Sequence, residues 1–195
     1  MPEEERRAQI LDAVERLLGQ GGLEAVTMRE VATQAGVSLR LVQYYGKSKD
    51  ELLTAALERL AEKSVRRWHA RSEEQTRGGS ALSRIRAFLA EALPTDEASR
   101  SFHRVGVSLE LLTITRPSAA ADAYRAHLGA LADHLAGILR TDPRMGAEDA
   151  RRLASEAMAL AHGVGSLLMA DQITRAAAEA LLDGYVDRLR TEIAH

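Results

Sequence analysis

The sequence predicts an all-α protein, from three observations. Ala, Leu, Glu and Arg dominate a chain of 195 residues with 46% hydrophobic content and 4% aromatics, a composition that favours helix and is enough for a core. Apolar residues recur at three- and four-residue spacing in long blocks. The chain has only four prolines, and Pro94, Pro117 and Pro143 fall between those blocks, where a helix must stop. The architecture predicted is an amino-terminal three-helix domain, residues 1–47, joined by a long fourth helix to a carboxyl-terminal bundle, residues 48–195, with about nine helices in all.

The first block carries Ile10, Leu11, Val14, Leu17 and Leu18 on one face, and "GQGG" at Gly19–Gly22 is expected to end it. Thr27-Met28-Arg29-Glu30 reads as a capping box that starts the second helix, with Val26 and Val31 placed as a hydrophobic staple. That helix turns Val31, Ala32 and Ala35 inward and should end at Gly36, whose missing side chain permits a left-handed turn. Ser38 caps a third helix running to about Tyr45. Ser48-Lys49-Asp50-Glu51 is a second capping box and opens the fourth helix through Leu53, Leu57, Leu60, Val65 and Trp68. After the polar connection "RSEEQTRGGS" come five further amphipathic segments, near 80–93, 97–115, 118–140, 147–170 and 175–193.

There is no cysteine, which removes disulfides, thiolate nucleophiles and Cys-ligated metals. The start "MPEEERRAQI" is charged where a signal peptide needs an apolar run, and no stretch approaches the roughly 18 apolar residues of a membrane span. A cytoplasmic protein with no membrane partner is expected. Net charge is -2, but its distribution is uneven. From Thr27 to Lys49 the bases Arg29, Arg40, Lys47 and Lys49 face the single acid Glu30, a local charge of +3, as a surface that docks phosphates requires.

A second and third helix joined by a Gly-Val-Ser turn make a helix-turn-helix, whose third helix can enter a major groove. Val37 and Val42 are expected to point inward, and Leu39, Arg40, Gln43 and Tyr44 outward. Arg pairs with guanine O6 and N7, Gln with adenine N6 and N7, and Leu with a thymine methyl, so Leu39, Arg40 and Gln43 are expected to read bases. Thr27, Tyr44, Tyr45 and Lys49 are expected on phosphates, with helix-start amides at Thr27 and Ser48 adding anion contacts. Met28, Arg29 and Ser38 complete the expected DNA-facing set. A merely solvated polar face would present the same pattern.

The stretch "RRAQILDAVERLLGQGGLEAVTMREVATQAGVSLRLVQYYGKSKDELLTAAL", Arg6–Leu57, resembles the amino-terminal signature of the TetR family of bacterial repressors. "RAFLAEAL", "YRAHLGALADHLAGILR" and "LLDGYVDRLR" resemble that family's BetI-like subgroup. The family resemblance implies a homodimer, a double-stranded DNA operator of inverted-repeat form, and release by a small molecule bound in the carboxyl-terminal bundle, with the fourth helix as the lever between them. It places a dimer interface on the last two helices, at Ala154, Ala157, Ala161, Gly165, Ala178, Leu181, Leu182 and Tyr185, although these residues could equally face the chain's own core. Candidates for the ligand pocket are Trp68, Phe88, Leu89, His103, Val105, Leu109, Leu112, Met158, His162 and Met169; ordinary core packing accounts for each as well. Their apolar character suggests a mostly apolar ligand, and so few aromatics argue against an aromatic cage for a quaternary ammonium. One departure stands out. Family members usually place an aromatic after the Tyr-Tyr or Tyr-His pair; here it is Gly46, which predicts a less firmly held third helix and a gain in stability for Gly46→Phe if the slot is vacant.

No phosphate loop, His-Glu metal helix or Gly-x-Ser-x-Gly elbow is present, so no enzyme activity and no cofactor is expected. His127 and His134 share a helical face but lie about 10 Å apart along the axis, too far to share a metal, and no metal site is expected. The rival to a DNA-binding regulator is a helical protein-protein adaptor, which should lack salt-dependent affinity for DNA.

Overall fold

A computed structural model describes residues 3–75 and 79–194, with the side chains of 64, 67–75 and 194 outside the described set. Among the described residues there are nine helices and no strand. They are α1 (Glu3–Ala25), α2 (Met28–Ala35), α3 (Leu39–Tyr45), α4 (Lys49–Gln75), α5 (Ala81–Ala92), α6 (Glu97–Thr115), α7 (Ala119–Leu139), α8 (Ala147–Met169) and α9 (Arg175–Ala194). The expected all-α class is the one observed, and the last five helices match the sequence segments within a residue or two.

Helix starts follow the chemistry of their first residues. Ser80, Ser118 and Thr174 each accept a hydrogen bond from the backbone N–H three residues on, and Asp96 and Ser99 exchange two, Ser99 N–H to Asp96 Oδ1 at 2.8 Å and Asp96 N–H to Ser99 Oγ at 3.0 Å. These caps satisfy amides that have no partner inside the helix, each worth about 1 kcal/mol. The break expected within Gly19–Gly22 falls at the last of these residues. Regular helix continues past Gly19, a buried residue, and breaks at Gly22, whose φ of 65° and ψ of -157° suit glycine alone.

The chain divides into two compact units. One runs through Lys63 and takes in Arg100–His127. Here Ile10, Val14, Leu18, Val31, Val42, Leu52 and Leu53 are buried, as are Val105, Leu109 and Leu112 of α6. The second unit is Ser64–Ser99 with the chain from Leu128 onward, where α5, α8 and α9 pack on one another. Small residues on α8, among them Ala150, Ala154, Ala157 and Ala161, let neighbouring helices approach closely, and Ile85, Leu89, Leu135, Leu153 and Leu189 fill the remaining space. Buried Tyr185 donates its hydroxyl hydrogen to the Leu153 carbonyl at 2.8 Å. Outer pairs such as Arg86 with Asp183 and Arg152 with Glu192 are exposed and add at most about 1 kcal/mol each.

Two phenols sit in these interiors. Burial, reinforced by the charge of Glu110, pushes Tyr124 from near 10 up to about 12, and burial followed by Glu156 and Glu192 pushes Tyr185 upward. The folded chain thus holds these protons more tightly than the unfolded one. Their stabilising contribution is whole below pH 10 and is lost as pH climbs through about 12. Denaturant midpoints should therefore fall between about pH 9 and about pH 11.5, and the double variant Tyr124→Phe, Tyr185→Phe should fall less over the same interval.

Candidate nucleic-acid interface

The helix-turn-helix is assembled by local bonds that the sequence specifies. Thr27 Oγ1 accepts from Glu30 N–H at 3.1 Å and starts α2. Gly36, at φ 64° and ψ 35°, ends it; its N–H and that of Val37 both reach back to the Ala32 carbonyl, the double closure that turns the chain out of a helix. Ser38 Oγ then accepts from Leu41 N–H at 3.2 Å and starts α3. Ser48 Oγ accepts from Glu51 N–H at 3.2 Å, while a Glu51 carboxylate oxygen accepts from Lys47 N–H at 2.9 Å. This second capping box closes on the residue before the cap rather than on the cap itself.

Longer bonds hold α3 in place. Val42 is fully buried. Gln9 of α1 donates to the Ala35 carbonyl at 2.7 Å, tying α1 to the end of α2. The Tyr45 hydroxyl reaches the Glu3 carbonyl at 3.4 Å, and the Tyr44 and Tyr45 rings meet edge to face at 5.1 Å. Behind them Arg59 of α4 bonds Asp12 at 2.5 Å and Glu15 at 2.6 Å, and Lys63 bonds Glu15 at 2.7 Å. Burial alone would lower the Arg59 pKa, but pairing with Glu15 and Asp12 leaves it raised. This cluster braces α4 on α1. The signal for it was present as Asp12 and Glu15 on one helix face and Arg59 and Lys63 on another, but nothing in one sequence says that those faces meet.

On the outer side, Arg40, Gln43 and Tyr44 of α3 are exposed, Tyr44 at 71%, and Leu39 is half-buried beside them. Among the described residues neither Arg40 nor Gln43 has a side-chain partner. Thr27, Arg29 and Ser38 are exposed and Met28 is half-buried, so the expected DNA-facing set lies on or near one surface element. Two members are already engaged. Tyr45 is the anchor to Glu3, and Lys49 Nζ donates to the Leu23 carbonyl at 2.5 Å, joining the start of α4 to the end of α1. Lys47, which the expected set omitted, is exposed and stands beside the Ser48 helix start.

Gly46 corrects the sequence reading. It is buried in extended backbone at φ -149°, a conformation open to any residue. The space an aromatic would take is filled, since a Cβ there would stand 2.5 Å from Leu52 Cγ. The third helix is therefore held from beneath by Leu52, and the expected vacancy is absent.

The residues suggested for other sites separate. All of the expected dimer set but Leu181 are buried within the chain's own packing, so they serve the α8–α9 core; a side chain already enclosed has no surface to offer a partner. Leu181 is exposed at 47%, and so is Leu167 of α8 at 45%. Of the ligand-pocket set, Phe88 and Leu89 are core residues of the second unit and Met158 packs against that core. Met169 is half-buried and His162 is exposed. Val105, Leu109 and Leu112 are buried in the first unit, where His103 is half-buried. The side chain of Trp68 lies outside the described residues.

An exposed polar helix presented by a capped helix-turn-helix defines the class as a helix-turn-helix protein. Residues 10–56, about a quarter of the chain, match the family described as bacterial regulatory proteins, tetR family. The chain is 38% identical over 93 residues to an uncharacterized HTH-type transcriptional regulator of Xanthobacter autotrophicus, covering 48% of this chain and 46% of that one; the match spans less than half of the relative's length. The whole fold is similar to that of a transcriptional regulator from a Rhodococcus species, with TM-score 0.81, 26% identity and coverage of 93% and 94%. A regulator from Saccharomonospora viridis, solved in complex with choline, aligns with TM-score 0.77 and 24% identity over 99% of this chain and 97% of that one. Among the described residues no helix is long and apolar enough to cross a membrane.

Because Leu52 fills the slot beneath Gly46, Gly46→Phe should destabilise by about 1–3 kcal/mol through overpacking. Thermal unfolding measures it, and a rise in Tm would mean that Leu52 can be displaced without cost.

Proposed function

We propose that this chain is a homodimeric transcriptional repressor that reads an inverted-repeat operator through α3 and is released by a small molecule bound among its carboxyl-terminal helices. The observation that carries the reading is the outer face of α3, where Arg40, Gln43 and Tyr44 stand exposed over the buried Val42. A helix of seven residues reads few base pairs alone, so two copies on half-sites about one DNA turn apart are needed for useful affinity. Exposed Leu167 and Leu181, on the two helices that would pair, support a second copy on that side. The regulator relatives support control of transcription, and the choline complex of one structural neighbour supports a ligand-responsive bundle.

Phosphate contacts fall in this reading to Lys47, Arg29 and the helix-start amides, with Lys49 acting as a brace between α1 and α4. Ligand releases DNA only by binding more tightly to the conformation whose reading heads do not fit the duplex; the coupling equals that difference in affinity.

Selection of bound sequences from random duplexes tests the reading and reveals the half-site together. An inverted repeat is expected, and no preference over competitor would end the proposal. Arg40→Ala and Gln43→Ala should each cost about 1–3 kcal/mol and relax preference at a single position. Lys47→Ala should weaken all duplexes alike and reduce the salt slope by about one. For assembly, Leu167→Glu with Leu181→Glu should shift sedimentation toward a single chain; an unchanged dimer would place the interface elsewhere.

A further inference from the structure

Helix α6 is apolar on two opposite faces. Val105, Leu109 and Leu112 are buried within the first unit. Two residues beyond each of them, about 200° round the helix, stand Val107, Leu111 and Ile114, exposed at 41%, 57% and 75%. Both sets step by four residues and then by three, the spacing with which one helix seats against another. A surface helix carries one such stripe, toward its own core, and sets polar residues on the other side. Single exposed apolar residues are ordinary, but three in register form a patch that marks an interaction surface.

Three features select a second copy of this chain as what covers it. The stripe itself carries no charge, so it can meet its own image across a twofold axis without like charges facing each other. The area required points the same way. A stable interface buries about 800 Å² on each partner, while Leu167 and Leu181, at 45% and 47%, together expose less than one whole leucine. The α6 stripe offers nearly twice as much apolar surface. Elsewhere among the described residues the exposed large apolar side chains are Tyr44, on the reading face, and Val65, a single residue of α4. Finally, residues 100–127 belong to the same compact unit as α3, so a contact made by α6 holds the reading helix through one continuous body.

We propose that the Val107, Leu111 and Ile114 stripe of α6 is an interface between two copies of this chain, packed against the same stripe of the second copy. It deepens the homodimer reading and rests on it for the effect on DNA. Two reading helices must stand about one DNA turn apart, and a contact within the reading unit fixes that spacing without passing through the second unit.

The test is sedimentation equilibrium of the full chain, without DNA. The triple variant Val107→Glu, Leu111→Glu, Ile114→Glu should weaken self-association at least about tenfold and Leu111→Glu alone several-fold. Ala126→Glu, at an exposed position of α7 in the same unit, should leave it unchanged. Circular dichroism and thermal unfolding check that the fold is kept; should the triple variant fail to fold, Leu111→Glu and cross-linking decide. The chain has no cysteine, so single replacements at Val107, Leu111 and Ile114 report cleanly. At least one of the three should give a disulfide-linked pair under mild oxidation, because paired helices bring facing positions within bridging reach, and Ala126→Cys should not. Unaltered association in the folded variants, or no cross-link at any of the three positions, would overturn the proposal and leave the stripe to a different protein. Association lost in Leu167→Glu, Leu181→Glu but untouched by the α6 variants would overturn it while keeping the homodimer. A chain that associates through the stripe yet selects no duplex would keep the interface and end the repressor reading.

Discussion

A helix of seven residues is too short to exist in water by itself, because forming its first turn orders three residues for one hydrogen bond. Everything that lets α3 present Arg40 and Gln43 comes from what holds it. The left-handed turn at Gly36 aims it, Ser38 caps it, Val42 sinks beneath it, Tyr45 ties its end to α1, and Leu52 closes the space under Gly46. Remove that support and the exposed side chains remain in the sequence with nothing to orient them.

Charge is divided by task on the same small unit. Acids and bases of α1 and α4 neutralise one another in the Asp12, Glu15, Arg59 and Lys63 cluster, where half-burial makes the pairing stronger than an exposed bridge. Lys49 is absorbed into backbone support through the Leu23 carbonyl. Arg29, Arg40 and Lys47, on or next to α2 and α3, face outward, so a chain with net charge -2 still offers a locally positive surface.

Caps and periodicity were legible because they are local. Thr27, Gly36, Ser38 and Ser48 act within four residues of themselves, and their geometry follows from side-chain reach. The outward residues of α3 were legible for the same reason, being fixed by helical spacing around Val42. The Gly46 slot was misread because its occupant, Leu52, arrives from the next helix. The α8–α9 residues illustrate a further limit. Small side chains that suit a dimer seam equally suit close packing inside one chain, and only the enclosed positions of Ala154, Ala157 and Tyr185 separate the two.

By itself, then, the sequence determined the helical class, nearly every helix start, and which residues of α3 turn outward, since these depend on bonds and spacings a few residues long. The tertiary structure decided which charges are used for bracing and what lies under Gly46. Those are contacts between residues far apart in the chain, whose meeting depends on packing that no local pattern encodes.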